Sequence, residues 1–299
     1  MKSFSRVAII AKPSPSIAPY LNDLLHIVID SGCTPIVAES SAKHLPDPCP
    51  CSTCPDNELA NAAEVLIVLG GDGTMLGAAR LVSRSNIPVI GINAGRLGFI
   101  TDVLLENMHE IIPQMLHGRY VEDKRRMLMG HLFRDGEKIY SDIAANDISI
   151  THGRALGMVH YTVYVDGLQM AVQRGDGVLV STATGSTAYA LASGGPILHP
   201  GINSMLLVPI APHTLSNRPL VVPSSSTIDI ELNESRSAVI GFDAQVLLDI
   251  AVGDVLRVAV SPDNYFTMLH PEGYNYFDLL RRKLKWSYLP EAEHPIASK

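Results

Sequence analysis

Over the first third of the chain, short continuous apolar runs alternate with stretches of helical spacing. Arg6–Ala11 reads as a buried strand. It is followed by Ile17, Tyr20, Leu21, Leu24, Leu25 and Val28 at the spacing of one helix face, with Gly32 as its stop. TPIVAE makes a second strand, and Val65–Leu69 and Ile87–Ile92 make two more, with a helix predicted over Met75–Ser85 between them. Strands apolar on both faces that alternate with helices imply a parallel sheet covered on both sides. A further helix is expected over 102–117, kinked or shortened at Pro113 and ended at Gly118. Residues 40–58, rich in Pro, Ser and Cys, show no periodicity and read as a loop or insertion.

After residues 119–124 the pattern changes. HLFRDGEKIY, DISITHG, VHYTVYVDG, LVSTATG, TIDIELN and VLRVAV are short alternating or β-branched segments separated by Gly, Asn, Asp and Pro, as in an all-β domain. The stretch YNYFDLLRRKLKWSYLP returns to helical spacing. The expected organisation is therefore an α/β domain over 1–122, a β-rich domain over 123–272, and a tail over 273–299 that packs back on the first domain.

Composition narrows the partners. The chain has 299 residues, 46% of them hydrophobic, and carries a formal net charge of -7, so nucleic acid and acidic membranes are disfavoured. A phosphorylated ligand would need local cations, backbone amides or a metal. The stretch MKSFSRVAIIAKPSP has five apolar residues between Arg6 and Lys12, short of a secretory core, and no run approaches a membrane span, so the expected compartment is the cytoplasm. Cys49, Cys51 and Cys54 in PCPCSTCP, near His44, could form a zinc site; a proline-rich loop with incidental cysteines is preferred because a complete ligand set is missing.

VLIVLGGDGTMLGAAR places Gly70, Gly71, Gly73 and Thr74 in a turn between a strand and a helix, where free N–H groups and the helix dipole suit a phosphate. It is neither a Walker A loop, which needs a lysine, nor a dinucleotide fingerprint, since Gly71, Gly73 and Gly77 give GxGxxxG. Asp72 is the distinguishing residue. A carboxylate beside phosphates makes sense as a proton acceptor for an attacking hydroxyl or as a helper in holding Mg2+. From the loop alone, capping of the helix at Thr74 accounts for it equally well. A second constellation joins Asn146-Asp147 to QRGDGVLVSTATGSTAYALASGGPI, with Arg174, Asp176 and Tyr189. Its amide, carboxylate and hydroxyl groups suit sugar hydroxyls and base edges, although hairpin turns and a capped helix would use the same residues. The basic run Lys124-Arg125-Arg126 reads as a solvated approach to a strand.

Taken together, GGDGT, GINAGRLGFITD, Asn146-Asp147, DGVLVSTATGSTAYALASGGPI and PHTLSNRPL resemble the NAD kinase family of the bacterial type over nearly the full length. The resemblance implies a Rossmann-like α/β domain with a phosphofructokinase-like loop, a β-sandwich-like C-terminal domain, and an active site in the cleft between them. It implies transfer of the γ-phosphoryl of ATP to the 2'-hydroxyl of the adenosine ribose of NAD, with Mg2+ or another divalent ion, in a homodimer or homotetramer. On this resemblance Asp72 is the general base and, with Gly73, contacts NAD. Asn146, Asp147, Arg174, Asp176, Thr187, Ala188, Tyr189, Ala190, Leu191, Ala192 and Gln245 fall at further NAD-contacting positions. The family usually has Glu where Asp147 stands and Ser where Ala192 stands, so at Ala192 only a backbone contact is implied. Two other readings remain open at this stage, a lipid or small-alcohol kinase with a similar loop and a nucleotide sensor without turnover.

Overall fold

The computed structural model describes residues 3–45, 51–85, 87–95, 97–153 and 157–286. They form two compact units, one drawing its described residues from Met1–Met75, Pro88–Asp123 and Met268–Lys299, the other from Leu76–Ile87 and Lys124–Thr267.

In the first unit the strands Ser52–Cys54, Thr34–Ala38, Arg6–Ala11, Val65–Gly70 and Val89–Asn93 lie side by side in that order, every neighbouring pair parallel. Val65–Gly70 is buried throughout, which accounts for its unbroken apolar run. The helix Ala18–Asp30 buries Leu21, Leu24, Leu25, Ile27 and Val28, and Gly32 ends it at a φ of 74°. Tyr20, counted on the apolar face by spacing, is 41% exposed.

Two expectations are corrected. The Cys-rich segment contributes the short strand Ser52–Cys54, paired with Ile36–Ala38. The helix expected from residue 102 starts later: Val103–Leu104 pairs with Ile92–Asn93, a 3-10 turn covers Leu105–Asn107, and the α-helix spans Met108–Leu116 with Pro113 inside it. Gly118, at φ 96°, follows the helix and donates its N–H to Met115 O. Among the tail residues described, Tyr276–Leu284 is helical, with Asn275 at the N-cap accepting from the Phe277 N–H at 2.9 Å.

The second unit is antiparallel. Leu220–Pro223, Ser204–Ile210, Gly177–Thr182, Asp147–His152, Ala238–Phe242 and Val246–Ile250 form one six-stranded sheet in that order. Leu168–Gly175, Val159–Val165, Thr227–Glu234 and the first part of Val255–Pro271 pair in succession in another. Their facing side chains make one core, in which Ile148, Ile150, Val178, Val180 and Ile240 meet Tyr161, Val163, Ile230, Leu256 and Val258. Gly177–Thr182 is buried on both faces, because Leu179 packs in a separate cluster with Ala183, Ala190, Leu198, Leu206 and Val208. That strand therefore delivers the TATGS segment from a fixed base. Lys124–Arg126 lies inside the strand Tyr120–Arg134 rather than on the approach to one.

Loss of the N-cap tests the described tail. Asn275→Ala is expected to cost about 1 kcal/mol, read as a fall of about 2–4 °C in Tm. An unchanged Tm would show that the cap contributes nothing.

Candidate active site

In the first unit, Asp72 opens the helix Asp72–Val82. Its carboxylate does not cap that helix: the Thr74 and Met75 N–H groups donate to Gly71 O instead. It is held by a distant segment. Phe99 N–H donates to Oδ2 at 2.9 Å, Ile100 N–H to Oδ1 at 3.3 Å, and the Thr101 hydroxyl to Oδ1 at 3.2 Å. Buried Asn93 in turn donates its amide to Thr101 Oγ1 at 2.9 Å and accepts the Gly95 N–H at 2.8 Å. An ionised carboxylate has about four acceptor positions. Three are used among the described residues, which leaves room there for one more donor.

The glycines around it divide into two kinds. A Cβ on Gly98 would run into the Asp72 carboxylate and Thr101 Oγ1, and one on Gly70 would stand 2.8 Å from Thr74 Cβ. Packing fixes those two. A Cβ on Gly71 or Gly73 would meet nothing within 4 Å, and neither has the positive φ that demands glycine. Among the described residues nothing fills the space beside either glycine, as expected where a ligand approaches the backbone.

In the second unit a cavity of about 490 Å³ gathers Asn146, Asp147, Asp176, Ala188 and Tyr189 from the sequence-predicted set. Ser149, His152, Asp243 and Ala244 line it too. Asp243 organises the wall. Its carboxylate accepts the backbone N–H groups of Ala145 at 2.8 Å, Asn146 at 2.7 Å and Asp147 at 3.1 Å, and its own N–H donates to Asp147 O at 2.9 Å. It sits in a turn closed by Gln245 N–H to Phe242 O at 2.9 Å, with Asp243 and Ala244 both at φ 53°. Left-handed conformations at two residues other than glycine store about 1–3 kcal/mol each, and such strain collects at binding sites. Opposite, Thr182 N–H donates to Asn146 O at 2.8 Å and its hydroxyl to Ala145 O at 2.7 Å. Gly185 packs so closely on the Asn146 backbone that a Cβ there would fall 2.6 Å from Asn146 Cα.

Burial raises the carboxyl of Asp243, against its three backbone donors and the Arg80 charge. Asp147 is 7% exposed and makes no side-chain hydrogen bond among the described residues. Burial first, then the Asp243 charge, pushes it up to about 7. The Tyr189 hydroxyl is raised by burial and by the charges of Asp147 and Asp176.

The other predicted residues lie outside the cavity lining. Ala190 is fully buried in the core, where its carbonyl accepts the Gly195 N–H at 2.8 Å, so it seats the short helix Tyr189–Ala192 rather than presenting a side chain to a ligand. Thr187 turns its hydroxyl back to Thr184 O, Arg174 and Ala192 are exposed, and Leu191 is half-buried. Gln245 is exposed with its amide near Gly77, 3.9 Å from where a Cβ would stand. Of the zinc candidates, Cys49 lies outside the described residues, Cys51 is disulfide-bonded and so offers no thiolate, and Cys54 is a free thiol. Among the described residues no group of three or more His, Cys, Asp or Glu could hold a metal.

Residues 7–120 match the family model described as the ATP-NAD kinase N-terminal domain, and residues 145–269 the one described as the ATP-NAD kinase C-terminal domain. The chain belongs to the NAD kinase family. It is 47% identical to an NAD kinase of Ralstonia nicotianae over 81% of this chain and 80% of that one. It is 42% identical to an NAD kinase of a Polaromonas species over 96% and 99%. Yeast NADH kinase solved with NADH has the same fold, with a TM-score of 0.86 at 24% identity, covering 100% of this chain and 91% of that one. An NAD kinase from Archaeoglobus fulgidus solved with ATP gives 0.71 at 24% identity over 94% and 98%.

Asp243, Arg80, Asn93 and Thr101 build the site, yet their place in the sequence does not single them out for that role. Arg80 donates to Ile143 O and pairs with Asp142 at 2.5 Å, just before Asn146. Asp243 had one signal in the sequence, an Asp-Ala pair between two β-branched or aromatic strands, where an Asp-Gly turn would be ordinary.

The raised carboxyl of Asp147 gives a pH test. A folded-state value of about 7 against an ordinary 3.8 means the folded protein holds the extra proton between those limits. That contribution to stability is full below about pH 4 and is lost as pH rises through about 7. Asp147→Asn is expected to gain stability over wild type at pH 8, on the order of a few kcal/mol, and to lose that advantage by pH 4.5. A difference in Tm that does not vary with pH would contradict the assignment.

Proposed function

We infer that this protein transfers the γ-phosphoryl group of ATP to the 2'-hydroxyl of the adenosine ribose of NAD, giving NADP. The observation that carries this reading is the Asp72 carboxylate: it opens a helix beside two glycines that neither backbone conformation nor packing among the described residues requires, and three donors among those residues fix it with one acceptor position left. A pure anion cradle gains nothing from a negative charge there. A phosphoryl transfer to an alcohol does, because the hydroxyl must lose its proton as the bond to phosphorus forms.

Asp72 is assigned as the general base, and Gly70, Gly71, Gly73 and Thr74 as the phosphate turn. Asn146, Asp147, Asp176, Ala188 and Tyr189 form the NAD-contacting wall, with Arg174, Thr187, the backbone of Ala190, Leu191, Ala192 and Gln245 completing the set. A divalent ion fits as a companion of the triphosphate. Mg2+ is commonly held by one or two carboxylates with the substrate's own phosphates. Such an ion, when bound, screens phosphate charge. The chain's own part is to align the hydroxyl and accept its proton, with amides at the helix N-terminus facing the phosphates. No helix among the described residues is long and apolar enough to cross a membrane. A cytoplasmic homo-oligomer is part of the same proposal. Neither a lipid kinase nor a sensor without turnover draws support from the family match.

Incubation with ATP, Mg2+ and NAD should yield NADP. Asp72→Asn should fold normally and lower kcat by at least about a hundredfold, as general-base assistance is typically worth about 10^2 to 10^4. Near-normal turnover in that variant would remove the base assignment, and no NADP from wild type would remove the reading.

A further inference from the structure

The basic run Lys124–Arg126 has no part in the site described above, yet it borders a second cavity of the same unit, about 260 Å³ in volume. Lys124 and Arg126, two residues apart on one strand, both line it, with Thr184, Asn203, Ser204 and Ser224. No carboxylate is among its described lining residues. Neither cation forms an ion pair among the described residues, although the chain carries a net charge of -7. Lys124 is held in place by Tyr265, with its Nζ 3.3 Å from the ring centroid. The third observation is independent of charge: Ser204 is 8% exposed, and its buried Oγ has no hydrogen-bond partner among the described residues. A buried hydroxyl left unpaired is disfavoured unless something supplies its partner.

We propose that this cavity binds a small phosphate-bearing anion of about the size of pyrophosphate, and that its occupancy is coupled to the nucleotide pocket through Thr182. Two cations, an amide and several hydroxyls with no acid among them match the many acceptor oxygens of a phosphate group. The volume is too small for a dinucleotide, which separates this site from the larger cavity. The coupling path is short. Thr182 lines the small cavity and holds Ala145 O and Asn146 O by its hydroxyl and N–H, so an occupant that moves Thr182 moves the residue that opens the nucleotide wall.

The test is a calorimetric titration of the full chain with inorganic pyrophosphate, under a saturating non-hydrolysable ATP analogue so that the GGDGT turn is occupied. Wild type should retain one pyrophosphate site per chain. The double variant Lys124→Gln/Arg126→Gln should bind it about tenfold or more weakly while still making NADP from ATP and NAD. Ser204→Ala should weaken pyrophosphate binding severalfold without lowering Tm, whereas a hydroxyl that only packs would leave binding unchanged. Equal affinity in wild type and the double variant, or no remaining site in wild type, would overturn the proposal.

Discussion

The placement of the Asp72 carboxylate is the constraint on which the catalytic reading rests. An acid at the first turn of a helix, in a loop open to phosphate, would ordinarily turn to its own N–H groups. Here Gly71 O takes the donors of Thr74 and Met75, and the carboxylate is taken by Phe99, Ile100 and Thr101. Several glycines follow from that arrangement. Gly98 must lack a side chain so that Asp72 can reach the amides, and a Cβ on Gly91 would stand 3.0 Å from Ile100 O and 3.1 Å from Thr101 Cα. Among the described residues no such packing reason holds for Gly71 and Gly73, which the proposed function leaves to a ligand.

The second unit solves a similar problem with a second acid. Asp243 binds three consecutive N–H groups of residues 145–147 and thereby fixes the direction of the Asn146 and Asp147 side chains. It does so from a turn with two left-handed residues, one of them alanine, a local cost offset by the hydrogen bonds it makes possible. Asp147, facing Asp243 and stripped of water, is left as a carboxyl that titrates near neutrality. Such a group can either donate to or accept from a bound nucleotide.

The strands and helices of the first unit were legible where one physical signal dominated: unbroken apolar runs for Arg6–Ala11 and Val65–Gly70, helical spacing for Ala18–Asp30. Ser52–Cys54 and Val103–Leu104 were not, because strands of three and two residues are held by register with a neighbour rather than by their own pattern. In the site, GGDGT, Asn146-Asp147, Asp176 and Tyr189 stood out as polar groups among glycines. The residues that aim them did not. Thr101 lies 29 positions from Asp72 and Asp243 lies 97 from Asn146, and nothing in local spacing joins acids to amides across such distances. Ala190 belongs to a run that resembles a binding segment, and its own side chain is core.

The most direct test is the kinetics of Gly98→Ala, which removes no polar group but displaces the Asp72 carboxylate and the Thr101 hydroxyl that donates to it. The account predicts a fall in kcat of at least about tenfold, approaching the level of an enzyme without a general base, with KM for NAD changed far less. A wild-type kcat in the folded variant would contradict it, since the carboxylate would then act from wherever it was displaced to.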